Sequence, residues 1–418
     1  MRDPVALPPM ARFGPLVATD LRDVTDDLAA LDSAGFWAVA ADFDGRTVCA
    51  RFGDVRREPR PAPRPGPAGW RGPDPRAWTS SMDRAAYERG VREIRARIAT
   101  GDVYQVNLCR VLTAPLPPDS DPAVAPADAA APGDADIDAL GAVLAQGNPA
   151  PYAGTIRLPA HGVEIATASP ELFLRRRGPV VESGPIKGTA RTAEDFLAKD
   201  HAENVMIVDL VRNDLGRVCA TGSVTVPALC AVEPHPGLVH LVSTVRGELR
   251  PGAGWPELFA AAFPPGSVTG APKSSALRII GELETAPRGP YCGAIGWVDA
   301  DRGTAELAVG IRTFWIDRDL PGGPVLRFGA GAGITWGSDP AGEWAETELK
   351  AARLLAVASG EYTGAYPAED RGGYASGSAG EHGGEHDAPT ERPAPAGPRD
   401  TAERFPAGEP SGGERTVR

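Results

Sequence analysis

Three stretches of this 418-residue chain are too poor in apolar side chains to pack, and they decide where a core can form. Over residues 58–76 prolines and glycines alternate with arginines, the composition of an extended linker. Residues 115–138 are Pro, Ala and Asp without periodicity and read as a surface insertion. Beyond Gly360 the chain turns to Gly, Pro, Ser, Ala and charge. That composition cannot offset the entropy of ordering, so residues 361–418 are expected to be a disordered tail. What is left is a small β-containing lobe over residues 1–57, a linker over 58–77 and one large α+β body over 78–360.

In the lobe, apolar residues 36–40, a turn at Asp44-Gly45 and residues 47–52 read as a hairpin. The body opens with Tyr87, Val91, Ile94 and Ile98, spaced four, three and four, which predicts a helix that Ser81 can cap and Gly101 can end. A strand over 103–111 follows. Residues 165–174, 293–298, 305–316 and 325–328 look extended, and 198–215, 273–284 and 343–357 look helical.

The formal charge of -12 argues against a surface built for nucleic acid, so a small molecule or a protein is the expected partner. Five cysteines lie far apart with no C-x-x-C pair, which suggests neither a disulfide framework nor a zinc cluster. No run approaches the roughly 20 apolar residues that span a bilayer, and no basic segment with an apolar stretch opens the chain, so a cytoplasmic protein without membrane contact is expected. Only four of the 43 basic residues are lysine, namely Lys187, Lys199, Lys273 and Lys350. Lysine offers an amine whose pKa can fall, which arginine does not, so each survivor calls for a reason.

Lys187 lies between Pro185-Ile186 and Gly188-Thr189, a loop that presents its amine at a defined place; desolvated, it becomes a nucleophile near neutral pH. A structural ion pair explains it as well. Glu171, in Ser169-Pro170-Glu171-Leu172-Phe173-Leu174, is a carboxylate in an apolar strand; burial would raise its pKa and suit it to acid work, exposure would make it ordinary. Glu203 lies near the start of one helix. Glu343 and Glu346, with Lys350 four residues on, share a face of another. Carboxylates converging from two helices suit a hard cation such as Mg2+, with substrate oxygens completing the octahedron, whereas a solvated face with a Glu346 to Lys350 ion pair is the plain alternative.

Gly266, Gly270, Lys273 and Ser274 do not have P-loop spacing, and Gly329, Gly331 and Gly333 are not followed by a helix, so neither nucleotide reading stands. The latter glycines suit close approach of backbone amides to a carboxylate. Arg312, at a strand end, can grip a carboxylate bidentately or make a salt bridge. His240 can orient a substrate or satisfy a core hydrogen bond.

The order and wording of these segments resemble the chorismate-utilising enzymes. The resemblance rests on Gly101-Asp102-Val103-Tyr104-Gln105-Val106-Asn107-Leu108, Ser169-Pro170-Glu171 and Pro185-Ile186-Lys187-Gly188-Thr189. It extends through Glu203-Asn204-Val205-Met206-Ile207-Val208-Asp209-Leu210, Arg212-Asn213-Asp214-Leu215-Gly216 and Gly270-Ala271-Pro272-Lys273. Gly310-Ile311-Arg312-Thr313, Gly331-Ala332-Gly333-Ile334 and the closing helix complete it, from about residue 83 to 357. It implies a large chorismate-binding fold, a central β-sandwich flanked by helices, with chorismate and one Mg2+ inside. Glu203 and Glu346 would hold the metal, with Glu343 close by. Arg312, Lys350, Gly331, Gly333 and Ile334 would hold substrate carboxylates, with Thr189, His240 and Gln105 also lining the site. Glu171 would be the acid and Lys187 the nucleophile.

Two positions bear on the reaction. Members of that family that add water carry a lysine base where this chain has Gln105, and members that make anthranilate typically carry alanine where it has Lys187. Members that make 4-amino-4-deoxychorismate are similar to it at both. Because no glutamine amidotransferase segment is recognisable, a separate subunit supplying ammonia is implied. The rivals are anthranilate formation and a catalytically silent partner subunit.

Overall fold

Many strands of this protein are apolar on both faces, which requires cover on both sides. In β6 (Gln105–Pro115) nine of the eleven positions are buried, and in β8 (Val163–Ser169) all seven are. The computed structural model describes residues 7–59, 69–117, 136–235 and 238–361.

Four strands come first, β1 (Met10–Phe13), β2 (Leu16–Thr25), β3 (Phe36–Ala41) and β4 (Thr47–Arg57). After β5 (Thr79–Ser80) come helix α1 (Arg84–Ala99), β6 and helix α2 (Ile137–Gly147). The middle of the chain is β7 (Tyr152–Leu158), β8, β9 (Leu172–Arg177), β10 (Val180–Gly184), β11 (Ile186–Ala190) and helix α3 (Ala198–Gly216). There follow β12 (Thr225–His235), β13 (Leu238–Glu248), helix α4 (Trp255–Ala262), β14 (Gly270–Ala271) and helix α5 (Lys273–Leu283). The last elements are β15 (Ala294–Asp299), β16 (Thr304–Val309), β17 (Thr313–Asp317), β18 (Val325–Ile334) and helix α6 (Pro340–Ala358).

The eighteen strands among the described residues hydrogen-bond into one sheet whose pairings are antiparallel. One half is β12, β13, β10 with β11 in line along β13, then β9, β16 and β15. The other half is β7, β8, β17, β18 and β6, with β5 and β14 on β6. The strands β3, β4, β2 and β1 join them, β3 pairing with β15 and β1 with β7. Residues 1–57 are therefore not a separate lobe. Their hairpin forms as expected, but its edges are the seam of the whole sheet, and the described residues make one unit.

Other expectations shift for local reasons. Asp83, not Ser81, caps α1 by accepting from Ala86 N, while the Ser81 hydroxyl accepts from Val111 N. The insertion over 115–138 gives way to α2, capped by Asp136, because Ile137, Leu140 and Leu144 recur on one face and are buried. Its earlier part and the expected tail lie outside the described residues. The stretch 305–316 is two strands, parted by Arg312 at φ 51°. No helix among the described residues is long and apolar enough to cross a membrane.

Candidate functional site

Two of the places where the chain passes from one half of the sheet to the other lie next to each other. Between β8 and β9 the crossing is Pro170-Glu171, and between β16 and β17 it is Gly310-Ile311-Arg312. They are bound side by side, Val309 N donating to Glu171 O at 3.0 Å and Ala168 N to Arg312 O at 2.9 Å. Ser169 Oγ donates to Val309 O at 2.6 Å. Glu171 thus sits at the junction of two strands, not within one, and is only 4% exposed. Burial pushes its carboxyl up to about 7, against a hydrogen bond from Ser267, the Lys187 charge and the Ile186 backbone.

Lys187 lies on a strand, β11, where a loop was expected, and Gly188 beside it adopts φ 93°. Its Nζ donates to Ser267 O at 3.0 Å. Burial lowers its pKa, aided by Lys350 and opposed by Glu171, Glu203 and Glu346. Ser267 therefore meets the amine with its carbonyl and lines one cavity with Glu171, whose carboxyl its hydroxyl pulls down. The sequence reading missed it. The turn that carries it is held by Arg288, fully buried, which donates to Val268 O and Asn107 O and pairs with Glu284.

Gly331, Gly333 and Ile334 line up on β18 against Cys109, Asn107 and Val106 of β6. A Cβ on Gly333 would lie 2.3 Å from Gln105 Nε2 and 3.5 Å from Lys187 Nζ. This locates Lys187, from one half of the sheet, against β6 and β18 of the other. The space above Gly333 is filled by the Gln105 amide, and that above Gly331 by Cys109 Sγ, 2.5 Å from where a Cβ would stand. Gln105 Oε1 is buried without a partner among the described residues. Thr189 stands opposite His240 of β13, which is buried.

Glu203 comes from α3, whose seating depends on Asn204: its amide donates to Leu241 O at 3.0 Å and accepts from Ser243 Oγ at 2.5 Å. Glu343 and Glu346 come from α6. Burial raises Glu203, against Lys187 and Lys199 and with Asp200 and Glu346; burial likewise raises Glu343, against Ser338 and with Glu346. The three carboxylates thus feel one another. Burial also pushes on Glu346, but its ion pair with Lys350, 2.6 Å, helped by Lys187 and Lys199, brings it below its ordinary value. Lys350 Nζ donates to Gly331 O at 3.1 Å as well.

Among the described residues no group of three or more His, Cys, Asp or Glu is disposed to hold a metal ion. Lys350 supplies a positive charge at Glu346. The donor set is still one for a hard cation, since Mg2+ commonly takes one or two carboxylates and completes its shell with substrate oxygens and water.

Residues 32–356 match the chorismate binding enzyme family. The chain belongs to that family. Aminodeoxychorismate synthase component 1 of Klebsiella aerogenes is 39% identical over 293 residues, 67% of this chain and 59% of that protein. Anthranilate synthase component 1 of Saccharolobus solfataricus is 37% identical over 285 residues, 65% of this chain and 62% of that protein. The chain thus spans about three fifths of the length of these curated relatives. Anthranilate synthase component I from Streptococcus pneumoniae superposes with a TM-score of 0.65 at 22% identity, covering 85% of this chain and 95% of that one. The chorismate-binding fold expected from the motifs is the fold observed.

Proposed function

We infer that the chain converts chorismate and ammonia to 4-amino-4-deoxychorismate, the step that leads to para-aminobenzoate and folate. One observation carries the reading: the Lys187 amine donates to the carbonyl of Ser267, the residue that lines one cavity with Glu171, where burial lowers the amine's pKa and raises the carboxyl's. Lys187 forms a bond to C2 of chorismate while Glu171 protonates the departing 4-hydroxyl, which leaves as water. Ammonia then bonds to C4 and Lys187 departs as the amine. Covalent catalysis divides one hard displacement into two easier ones. Gln105 cannot take a proton from water, which disfavours hydroxylation, and its unpartnered Oε1 is an acceptor for the N–H of an incoming amine.

Arg312, Lys350, Gly331, Gly333 and Ile334 hold the substrate carboxylates in this reading, with His240 and Thr189 along the wall. Glu203 and Glu346, with Glu343 beside them, are the residues that would hold one Mg2+, which when bound supplies positive charge to the ring carboxylate. Ammonia comes from a separate glutamine amidotransferase subunit, a reading supported by relatives named as a first component. Five free cysteines suit the reducing cytoplasm.

Relatives named anthranilate synthase component 1 are almost as similar, 37% and 38% identical, which keeps anthranilate formation as the second reading. Incubation with chorismate, Mg2+ and ammonium separates them. The expected product becomes para-aminobenzoate only after 4-amino-4-deoxychorismate lyase is added; fluorescent anthranilate without lyase would overturn the assignment.

A further inference from the structure

Each cycle of the reaction inferred above leaves Glu171 as a carboxylate, because its proton departs with the 4-hydroxyl as water. Glu171 is 4% exposed, so the proton that restores it has to travel through protein or come from the substrate side. Beneath it lies a cavity of about 20 Å3, room for one water molecule. Glu171, Gly266 and Ser267 line it, and so does Asp214 of α3. A Cβ on Gly266 would stand 3.8 Å from Asp214 Oδ2, which puts that oxygen close to the turn bearing Ser267. Asp214 is itself 4% exposed, and its Oδ2 accepts from Lys273 Nζ at 2.7 Å. The Lys273 side chain keeps 17% exposure and so meets solvent. These two residues belong to Arg212-Asn213-Asp214-Leu215-Gly216 and Gly270-Ala271-Pro272-Lys273, motifs to which the reaction gives no other task.

The geometry points to Lys273, Asp214 and the cavity between Asp214 and Glu171 as the path by which Glu171 regains its proton. This rests on Glu171 being the acid. The Lys273 ammonium gives a proton to the Asp214 carboxylate and takes one from solvent. Asp214 passes its proton to a water in the cavity, which gives one of its own to Glu171. Each N–H or O–H bond that breaks is matched by one that forms, and one proton moves from solvent to Glu171. The charged groups facing this path are Lys187 at Glu171, and Lys273 and Arg217 at Asp214. Burial raises the Asp214 carboxyl against both cations, which helps it hold a proton in passing.

An ion pair that merely pins α5 to α3 predicts something else, and quench-flow tells the two apart. With enzyme in excess over chorismate, started below pH 7 where Glu171 holds its proton, Asp214→Asn should form product within about twofold of the unchanged rate, while its steady-state turnover falls about tenfold or more. Asp214→Asn leaves Lys273 without its carboxylate, so the neutral double variant Asp214→Asn, Lys273→Gln is measured beside it and should show the same split. Parallel loss of both rates, or loss of neither, in whichever variants fold overturns the path and leaves the proposed function standing. No product from the unchanged chain overturns both.

Discussion

Glu171 and Glu346 belong to one site and face opposite surroundings. Glu171 is 4% exposed, held between two strand crossings, with its carboxyl raised to about 7 by burial. Glu346 has a side chain 49% exposed on a helix, with its carboxyl held low by Lys350. The same side chain is thus held toward its protonated form in one place and toward its anion in the other, as the proposed roles of acid and cation ligand require. Environments that push two titratable groups apart are what assign acid and base roles. In the proposed function the contrast also divides the site: the covalent chemistry would lie with Lys187, Ser267 and Glu171, and the cation would lie toward α3 and α6.

The contrast can be broken in order of expected effect. Lys187→Ala removes the nucleophile and should bring 4-amino-4-deoxychorismate formation below detection by mass spectrometry, any residual product being anthranilate; unchanged product would remove the covalent step. Glu171→Gln keeps shape and loses the acid, so turnover should fall by about 10^2 to 10^4. In the unchanged chain the rate should decline as pH rises through about 7, because Glu171 is protonated below that value. Glu346→Gln should instead raise the Mg2+ concentration for half-maximal rate by about tenfold or more, since even partners of metal ligands are worth that much. Equal Mg2+ requirement in Glu346→Gln and Glu171→Gln would erase the division between covalent side and cation side.

The smallest effect is on stability. A carboxyl whose folded pKa lies above its unfolded one costs nothing below the unfolded value of 4.5 and progressively destabilises the fold as pH rises to about 7. Glu171→Gln should therefore melt above the unchanged chain at about pH 8 and level with it at about pH 4, as calorimetry can read.

How much of this was legible in the sequence depends on how local the cause is. Helices α1, α5 and α6 announce themselves by apolar periodicity, and the motif order carries the family. Strand partners are non-local, so nothing in residues 36–41 signals that they seam β15 to the rest of the sheet. Glu171 looked like a strand residue because its neighbours are apolar; Pro170 was the sign of the crossing. Arg312 lies at a strand end, and its positive φ marks the turn by which the chain passes from β16 to β17. Ser267 escaped notice because its value lies in one carbonyl and one hydroxyl meeting groups about 80 and 96 residues away, a juxtaposition made only by folding.

The most direct test of the account is to find the bond that Lys187 is said to make. The chain carries four lysines, Lys187, Lys199, Lys273 and Lys350, so the modified one can be read without ambiguity. Chorismate and Mg2+ are added without ammonia, the reaction is quenched in acid, and peptides are mapped by mass spectrometry. The account predicts a chorismate-derived adduct, formed with loss of water, on Lys187 alone. An adduct on another lysine, or an unmodified Lys187 in protein that makes product once ammonium is supplied, would contradict it.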